Sequence, residues 1–231
     1  MATTFWGVDS VAAAHQPVPA VTGKTPLYDY LVGKGLTPSF FGRYLGKATT
    51  VLSKAEADFL LGKGCKILPV YRSGSVNGQS GSAAAAKAIS AAKAVGVAPG
   101  TVIYTDVEPL EKPSVDYIKD WCKTMWSSPF GGAGGFYCNN WSGSDFMKAF
   151  KKAYDDMDAS MRAAVYLWCQ YPLKACGQSS SFAPSPPTFF PTGPNVWQYA
   201  LGCLKYSQGS NKYALIDMNT ANMDGYNAMW G

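Results

Sequence analysis

Asp106 and Glu108 stand one residue apart at the end of an apolar segment, Thr101–Glu108, and this pair is the strongest chemical signal in the chain. In an extended strand residues i and i+2 share a face, so Val102, Tyr104, Asp106 and Glu108 point one way while Ile103, Thr105 and Val107 point the other. At a strand rise of ~3.3 Å per residue the two acidic backbones lie roughly 6.6 Å apart, a spacing that suits two carboxylates flanking one scissile bond. The same count puts Asp9 on a face with Phe5 and Gly7, and Asp217 on a face with Leu215 and Asn219. If the sheet closes, its last strand lies beside its first and Asp9 neighbours Asp217. Four of the 15 acidic residues then meet at one mouth. Close carboxylates raise one another's proton affinity, which is how a general acid keeps its proton near neutral pH. Glu108, at the strand end against Pro109, is the expected proton donor, and Asp106, one pleat deeper, is expected to stay ionised. The competing reading is that strand-end acids cap the turns that follow them.

Aromatic and amide side chains form a second constellation. Tyr44, Tyr71, Tyr137, Trp168 and Trp197 sit in or just after strand-like segments and offer flat apolar faces to sugar rings. Asn139, Gln170, Gln198 and Asn219 are the matching hydrogen-bonding partners. The alternative for each ring is packing against helices, and a simple alternation count turns Trp168 and Trp197 outward. His15 and Arg43, each near a strand end, fit a structural role equally well.

Eight elements are needed to carry these residues. Strand-like segments at Phe5–Asp9, Ser39–Leu45, Lys66–Tyr71, Thr101–Glu108 and Gly134–Cys138 alternate with helical ones, the pattern of βα units around a parallel sheet. Thr25-Pro26 reads as a helix start, with Gly33 or Gly35 as its stop. Ser53-Lys54-Ala55-Glu56 reads as a capping box. The alanine-rich stretch from Gly81 to Val95, the run from Ser114 to Trp126, and Ser144 to Asp155 supply three more helices. Three further strands, Ala164–Gln170, Asn195–Ala200 and Ala214–Met218, are joined by segments without helical periodicity. One of these connections, Tyr171 to Pro194, holds Pro172, Pro184, Pro186, Pro187, Pro191 and Pro194, and is expected to be a long ordered loop or a lid. The fold class is thus α/β, a TIM-like (β/α) barrel of eight strands with about five helices, irregular in its last three units. A single domain spanning residues 1–231 is expected, since 231 residues support one sizeable core.

Composition removes several functions. One histidine cannot build a two-histidine zinc site, and no GxSxG elbow accompanies it. The Gly-rich run from Gly131 to Gly135 lacks a phosphate-binding pattern. The sequence therefore implies no metal and no cofactor. A net charge of +5 without a Lys/Arg block argues against nucleic acid, and no apolar run approaches the ~20 residues of a membrane span. A monomer is expected.

The six cysteines contain no CxxC, and their even number with few charges leans towards an oxidising compartment. Cys176 and Cys203 fall in the two irregular connections, where a bridge would restrain loops lacking helices. Cys138 and Cys169, at neighbouring strand ends, are the next candidates. No signal-peptide pattern precedes the first strand, so a secreted or cell-envelope location implies a leader already removed or another export route.

The segments Gly7-Val8-Asp9, Phe41-Gly42-Arg43-Tyr44, Leu52-Ser53 leading to Glu56-Ala57, Ile67-Leu68-Pro69-Val70-Tyr71, Tyr104-Thr105-Asp106-Val107-Glu108, Gly135-Phe136-Tyr137, Trp197-Gln198-Tyr199 and Asp217-Met218-Asn219 follow one another in an order that resembles the glycoside-hydrolase-like domain related to family-25 lysozymes. The resemblance spans nearly the whole chain. It implies a barrel of eight strands with five helices and cleavage of the muramic-acid-to-glucosamine linkage of bacterial cell walls. It also implies Glu108 as general acid/base, Asp106 as the group that acts on an N-acetyl group or oxocarbenium charge, and Asp9 and Asp217 as cleft residues. Two functions of different kind follow: a glycosidase of peptidoglycan or a related amino-sugar polysaccharide, or a non-catalytic carbohydrate-binding or cell-surface structural module on the same barrel. A metal-dependent phosphodiesterase is the weaker third, because His15 would be its only imidazole.

Overall fold

A computed structural model describes residues 3–46, 50–72, 74–141, 143–171, 174–184, 190, 193–208 and 210–231. In chain order the described elements are β1 (Phe5–Asp9), α1 (Pro19–Thr22), α2 (Leu27–Gly33), β2 (Phe40–Leu45), α3 (Lys54–Gly62), β3 (Lys66–Tyr71), α4 (Gly81–Val95), β4 (Tyr104–Val107), α5 (Val115–Trp126), β5 (Gly135–Asn139), α6 (Asp145–Asp156), α7 (Ala159–Ala163), β6 (Tyr166–Gln170), β7 (Val196–Gln208), β8 (Asn211–Ala221) and α8 (Met223–Asn227). The eight strands close into a barrel in sequence order. Five helices match the expected ones; α1, α7 and α8 are additions of four or five residues.

Local chemistry sets the helix starts. Ser53, Ser80, Ser114 and Ser144 each accept a hydrogen bond from the backbone N–H three residues on. Two sequence expectations need correction. Helix α2 starts at Leu27 with Pro26 as its cap and no side-chain cap bond, so Thr25 does not cap it. Only half of the Ser53 capping box forms, because the Glu56 carboxylate turns instead to Arg43 and the Ala14 N–H.

Alternation divides the core into two. Phe40, Leu68, Val70, Val102, Tyr104, Tyr137, Trp168 and Val196 fill the barrel, while Phe41, Ile67, Ile103, Val107, Phe136, Cys138, Leu167, Cys169 and Trp197 face the surrounding helices and loops. Met229 belongs to the inner cluster, and the C-terminal segment closes the lower end through Val102 N–H to Ala228 O and a bridge between Ile67 and Trp230. The upper end stays open.

Strands β1 to β7 run parallel where they pair, but β8 is antiparallel to both β7 and β1. The last two strands are a long hairpin, in place of the short strands expected at Asn195–Ala200 and Ala214–Met218. Its register shifts between Gln198 and Ala200 and again before Cys203. Beyond those shifts the hairpin continues above the rim. Reversal of β8 still brings Asp217 opposite Asp9, because the acid sits in the middle of the strand and not at its end.

The Cys176–Cys203 disulfide ties the proline-rich connection to the hairpin. Lys174 N–H to Tyr199 O and the Gly177 N–H on the Met218 sulfur add to this anchorage. Pro172, Pro186, Pro187 and Pro191 lie outside the described residues. Cys138 and Cys169 pair in register but remain thiols, as do Cys65 and Cys122, all four buried. Thiol counting on the unfolded, unreduced protein is expected to find four reactive sulfhydryls, and Cys203→Ala to lose about 2–4 kcal/mol of stability. Six thiols would contradict the bridge.

Candidate active site

The open end of the barrel gathers the four acids, which the sheet register places on β1, β8 and the end of β4. Arg72, the residue after β3, organises one half of the mouth. Its Nη1 donates to Asp106 Oδ2 at 2.9 Å and to Glu108 Oε1 at 3.1 Å, and its Nη2 lies 3.8 Å from Glu111 Oε1. Tyr44 O–H also donates to Asp106 Oδ2. Glu111 is itself held, accepting the Val76 and Glu108 N–H groups. Arg72 and Glu111 were not singled out from the sequence. The signal for Arg72 is the β3 alternation, which continues Leu68 and Val70 inward.

Asp9 organises the other half. Its Oδ2 accepts Gln198 Nε2 at 2.9 Å and Asn219 Nδ2 at 2.7 Å. Gln198 also reaches Asp217 Oδ2 and accepts the Tyr137 O–H, which in turn accepts Gln170 Nε2. Asn219 Oδ1 accepts the Trp168 indole N–H. Gln198 and Asn219 are buried beneath Asp9. They hold the carboxylate and do not reach into the cleft. Gly42 makes the fit possible: a Cβ there would stand 2.6 Å from the Asp9 Cβ and 2.9 Å from the Trp168 ring.

The inward residues Tyr44, Tyr137, Trp168 and Gln170 therefore line or underlie the mouth. Trp168 shares its face with Tyr166 and Gln170, which corrects the outward count. Tyr71 and Trp197 lie on the opposite face, packed into the outer core, and this corrects their expected part in substrate binding. The Trp197 indole donates to Tyr171 O. Asn139 spends its Oδ1 on the Trp141 N–H. Arg43 points outward into a fully buried ion pair with Glu56, and His15 rests beside Gln16 and Phe59.

Burial, followed by repulsion from Asp217, pushes the Asp9 carboxyl up to about 7 from an ordinary 3.8. Burial also raises Asp217, against the Gly202 N–H that favours its ionised form. Asp106 is pushed up to about 6, again chiefly by burial, with Arg72 opposing. Asp106 thus takes up a proton in mild acid and is ionised above that range. Glu108 sits at the solvent edge with its side chain 41% exposed.

Asp9→Asn is accordingly expected to stabilise the fold at pH 8, with the gain disappearing near pH 4. Between 3.8 and about 7 the folded state keeps a proton that the unfolded chain has lost, so raising the pH across this range favours unfolding of the wild type. Denaturant unfolding at the two pH values checks it; an equal effect at both would refute the assignment.

Beside the acids opens a cavity of about 450 Å³ whose lining includes Val11, Leu45, Val51, Arg72 and Glu108. A smaller recess between Asp9, Tyr44 and the β8 segment Ala214–Asp217 adjoins it through Val11 and Tyr44.

A closed eight-stranded barrel that gathers acids at the C-terminal ends of β1 and β4 carries its candidate site where barrel enzymes carry theirs. Residues 37–189 match the family model described as "Rv2525c-like, glycoside hydrolase-like domain", and the chain belongs to that family. The match includes Asp106 and Glu108; Asp9 and Asp217 lie outside it. No curated protein matches significantly in sequence. Among solved structures, an uncharacterized B. stearothermophilus protein superposes with a TM-score of 0.77 at 21% identity, covering 98% of this chain and 100% of its own. The Mycobacterium tuberculosis Tat-secreted protein Rv2525c, in complex with L-tartrate, gives 0.59 at 17% identity, with 100% of both chains covered. A muramidase from Acremonium alcalophilum gives 0.57 at 14%, covering 97% of this chain and 96% of that one. These likenesses establish the fold. No helix among the described residues is long and apolar enough to cross a membrane.

Proposed function

We propose that this protein is a glycosidase of peptidoglycan or a related amino-sugar cell-wall polysaccharide, acting as one domain and as a monomer. The observation that carries this reading is the juxtaposition of Asp106 and Glu108 on one guanidinium nitrogen, at the edge of an open cavity, in a barrel of glycoside-hydrolase-like type. Glu108, at the solvent edge, is the general acid/base. Asp106 acts on an acetamido group or on developing positive charge, and Asp9 and Asp217 line the same cleft. Trp168 and Tyr137 form the floor, with Tyr44 and Gln170 as ligand contacts. A secreted or cell-envelope location is supported by the disulfide and by the description of one structural relative as Tat-secreted.

One observation favours the second reading, a carbohydrate-binding module without turnover. Arg72 engages both carboxylates at once, so a productive complex must reorganise that ion pair. Release of reducing sugar from a panel of cell-wall polymers separates the two. Turnover lost in Glu108→Gln supports the glycosidase, whereas retained binding with no turnover on any polymer supports the module.

A further inference from the structure

Trp141 is 61% exposed, and it stands two residues beyond Asn139, the last residue of β5. Parallel register places Tyr137 beside Asp106 and Cys138 beside Val107, so Trp141, which follows β5, and Glu108, which follows β4, leave neighbouring strands at the same end of the barrel. Exposed rings scattered singly are ordinary on protein surfaces, and exposure alone would carry nothing. This ring, however, is built in. Its backbone N–H donates to Asn139 Oδ1 at 2.9 Å, and its carbonyl accepts the Ser144 N–H at 2.9 Å. The six-membered part of the indole rests on Gly143, where a Cβ would stand only 2.7 Å from the ring. Glycine lets the backbone serve as a seat, and the remaining ring surface is left to solvent. An ion pair between Lys112 and Asp145 at 3.1 Å joins the loop that follows Glu108 to the first residue of α6.

We propose that Trp141 is a stacking platform for one pyranose ring of the glycan, on the β4–β5 side of the mouth. The inference rests on the glycan reading above and extends it by a binding subsite. A sugar is the occupant that fits the dimensions. One indole offers about 150–250 Å², far below the roughly 800 Å² per partner of a stable protein interface, whereas the apolar face of a single pyranose matches it. A polymer cut or held at Glu108 must leave the mouth across some part of the rim, and this ring is fixed in place before the ligand arrives. Pre-ordering limits the entropy lost on binding.

The test is a fluorescence and calorimetric titration with soluble N-acetylglucosamine oligomers and peptidoglycan fragments. A Trp126→Phe background removes the other half-exposed indole, which lies at the end of α5. The expected result is a blue shift on ligand addition that is absent in Trp141→Ala, and binding weakened about ten-fold or more in that variant. Gly143→Ala, which displaces the ring without removing it, is expected to weaken binding as well. Unchanged affinity in Trp141→Ala, with glycan still bound by the wild type, overturns the platform and leaves the glycan reading standing. Failure of the wild type to bind any of these glycans overturns both.

Discussion

Glu108→Gln is expected, on the proposed glycosidase reading, to lower turnover of cell-wall glycan by a factor on the order of 10²–10⁴, while ligand affinity stays within about two-fold of wild type. The amide matches the carboxyl in size and removes its negative charge together with the capacity to give and take a proton. Arg72 remains paired with Asp106 at 2.9 Å and close to Glu111, so the mouth keeps its shape. Asp106→Asn should cost less, because it weakens charge stabilisation and leaves the proton route intact. Asp9→Asn and Asp217→Asn should fall between. Reducing-sugar assays across pH 4–8, paired with binding titrations, provide the measurement. Wild-type activity in Glu108→Gln would remove this assignment, and the raised carboxyls Asp9 and Asp106 would become the proton-holding candidates.

Arg43→Met is expected to destabilise the fold by about 3–5 kcal/mol, the cost of leaving one buried charge without its partner. Neither side chain of the Arg43–Glu56 pair has any exposure, and their closest approach is 2.7 Å. Arg43 also donates to Ser10 O and Thr50 O, and Glu56 accepts the Ala14 N–H. Five hydrogen-bonding groups from the loop after β1, from β2 and β2's following loop, and from α3 thus meet at one buried point. Loss of the arginine strands a carboxylate and releases the Ser10 carbonyl, one residue from Asp9. Chemical denaturation should show the lower midpoint, with an unchanged far-ultraviolet spectrum below the transition. A loss under 1 kcal/mol would show that the pair is offset by solvent entry. The double variant Arg43→Met/Glu56→Gln should recover part of the loss, because it removes both charges.

Much of the site was legible because strand periodicity is local. Two-residue alternation sends Asp106 and Glu108 to one face whatever the rest of the chain does, and it sends Arg72 to the same interior as Val70. Serine caps and the glycine after α4, at φ 90°, likewise act within a turn. The β7–β8 hairpin was less legible. Its strands read as short because the register shifts interrupt the alternation.

By itself, then, the order of residues determined which side chains share a face, where helices begin, and which acids end strands, since each depends on backbone geometry over a few positions. Tertiary structure alone decided what those acids experience. Asp9 is pushed up by burial and by Asp217, against the hydrogen bonds of Gln198 and Asn219, all from strands some 200 residues away, and Asp106 is opposed by an arginine brought in by the neighbouring strand. Packing of the helices and loops around the barrel also decided that Tyr71 and Trp197 are buried in the outer core and that Arg43 pairs with Glu56. Burial and Coulomb interactions depend on distance through space, and only the closed barrel sets those distances.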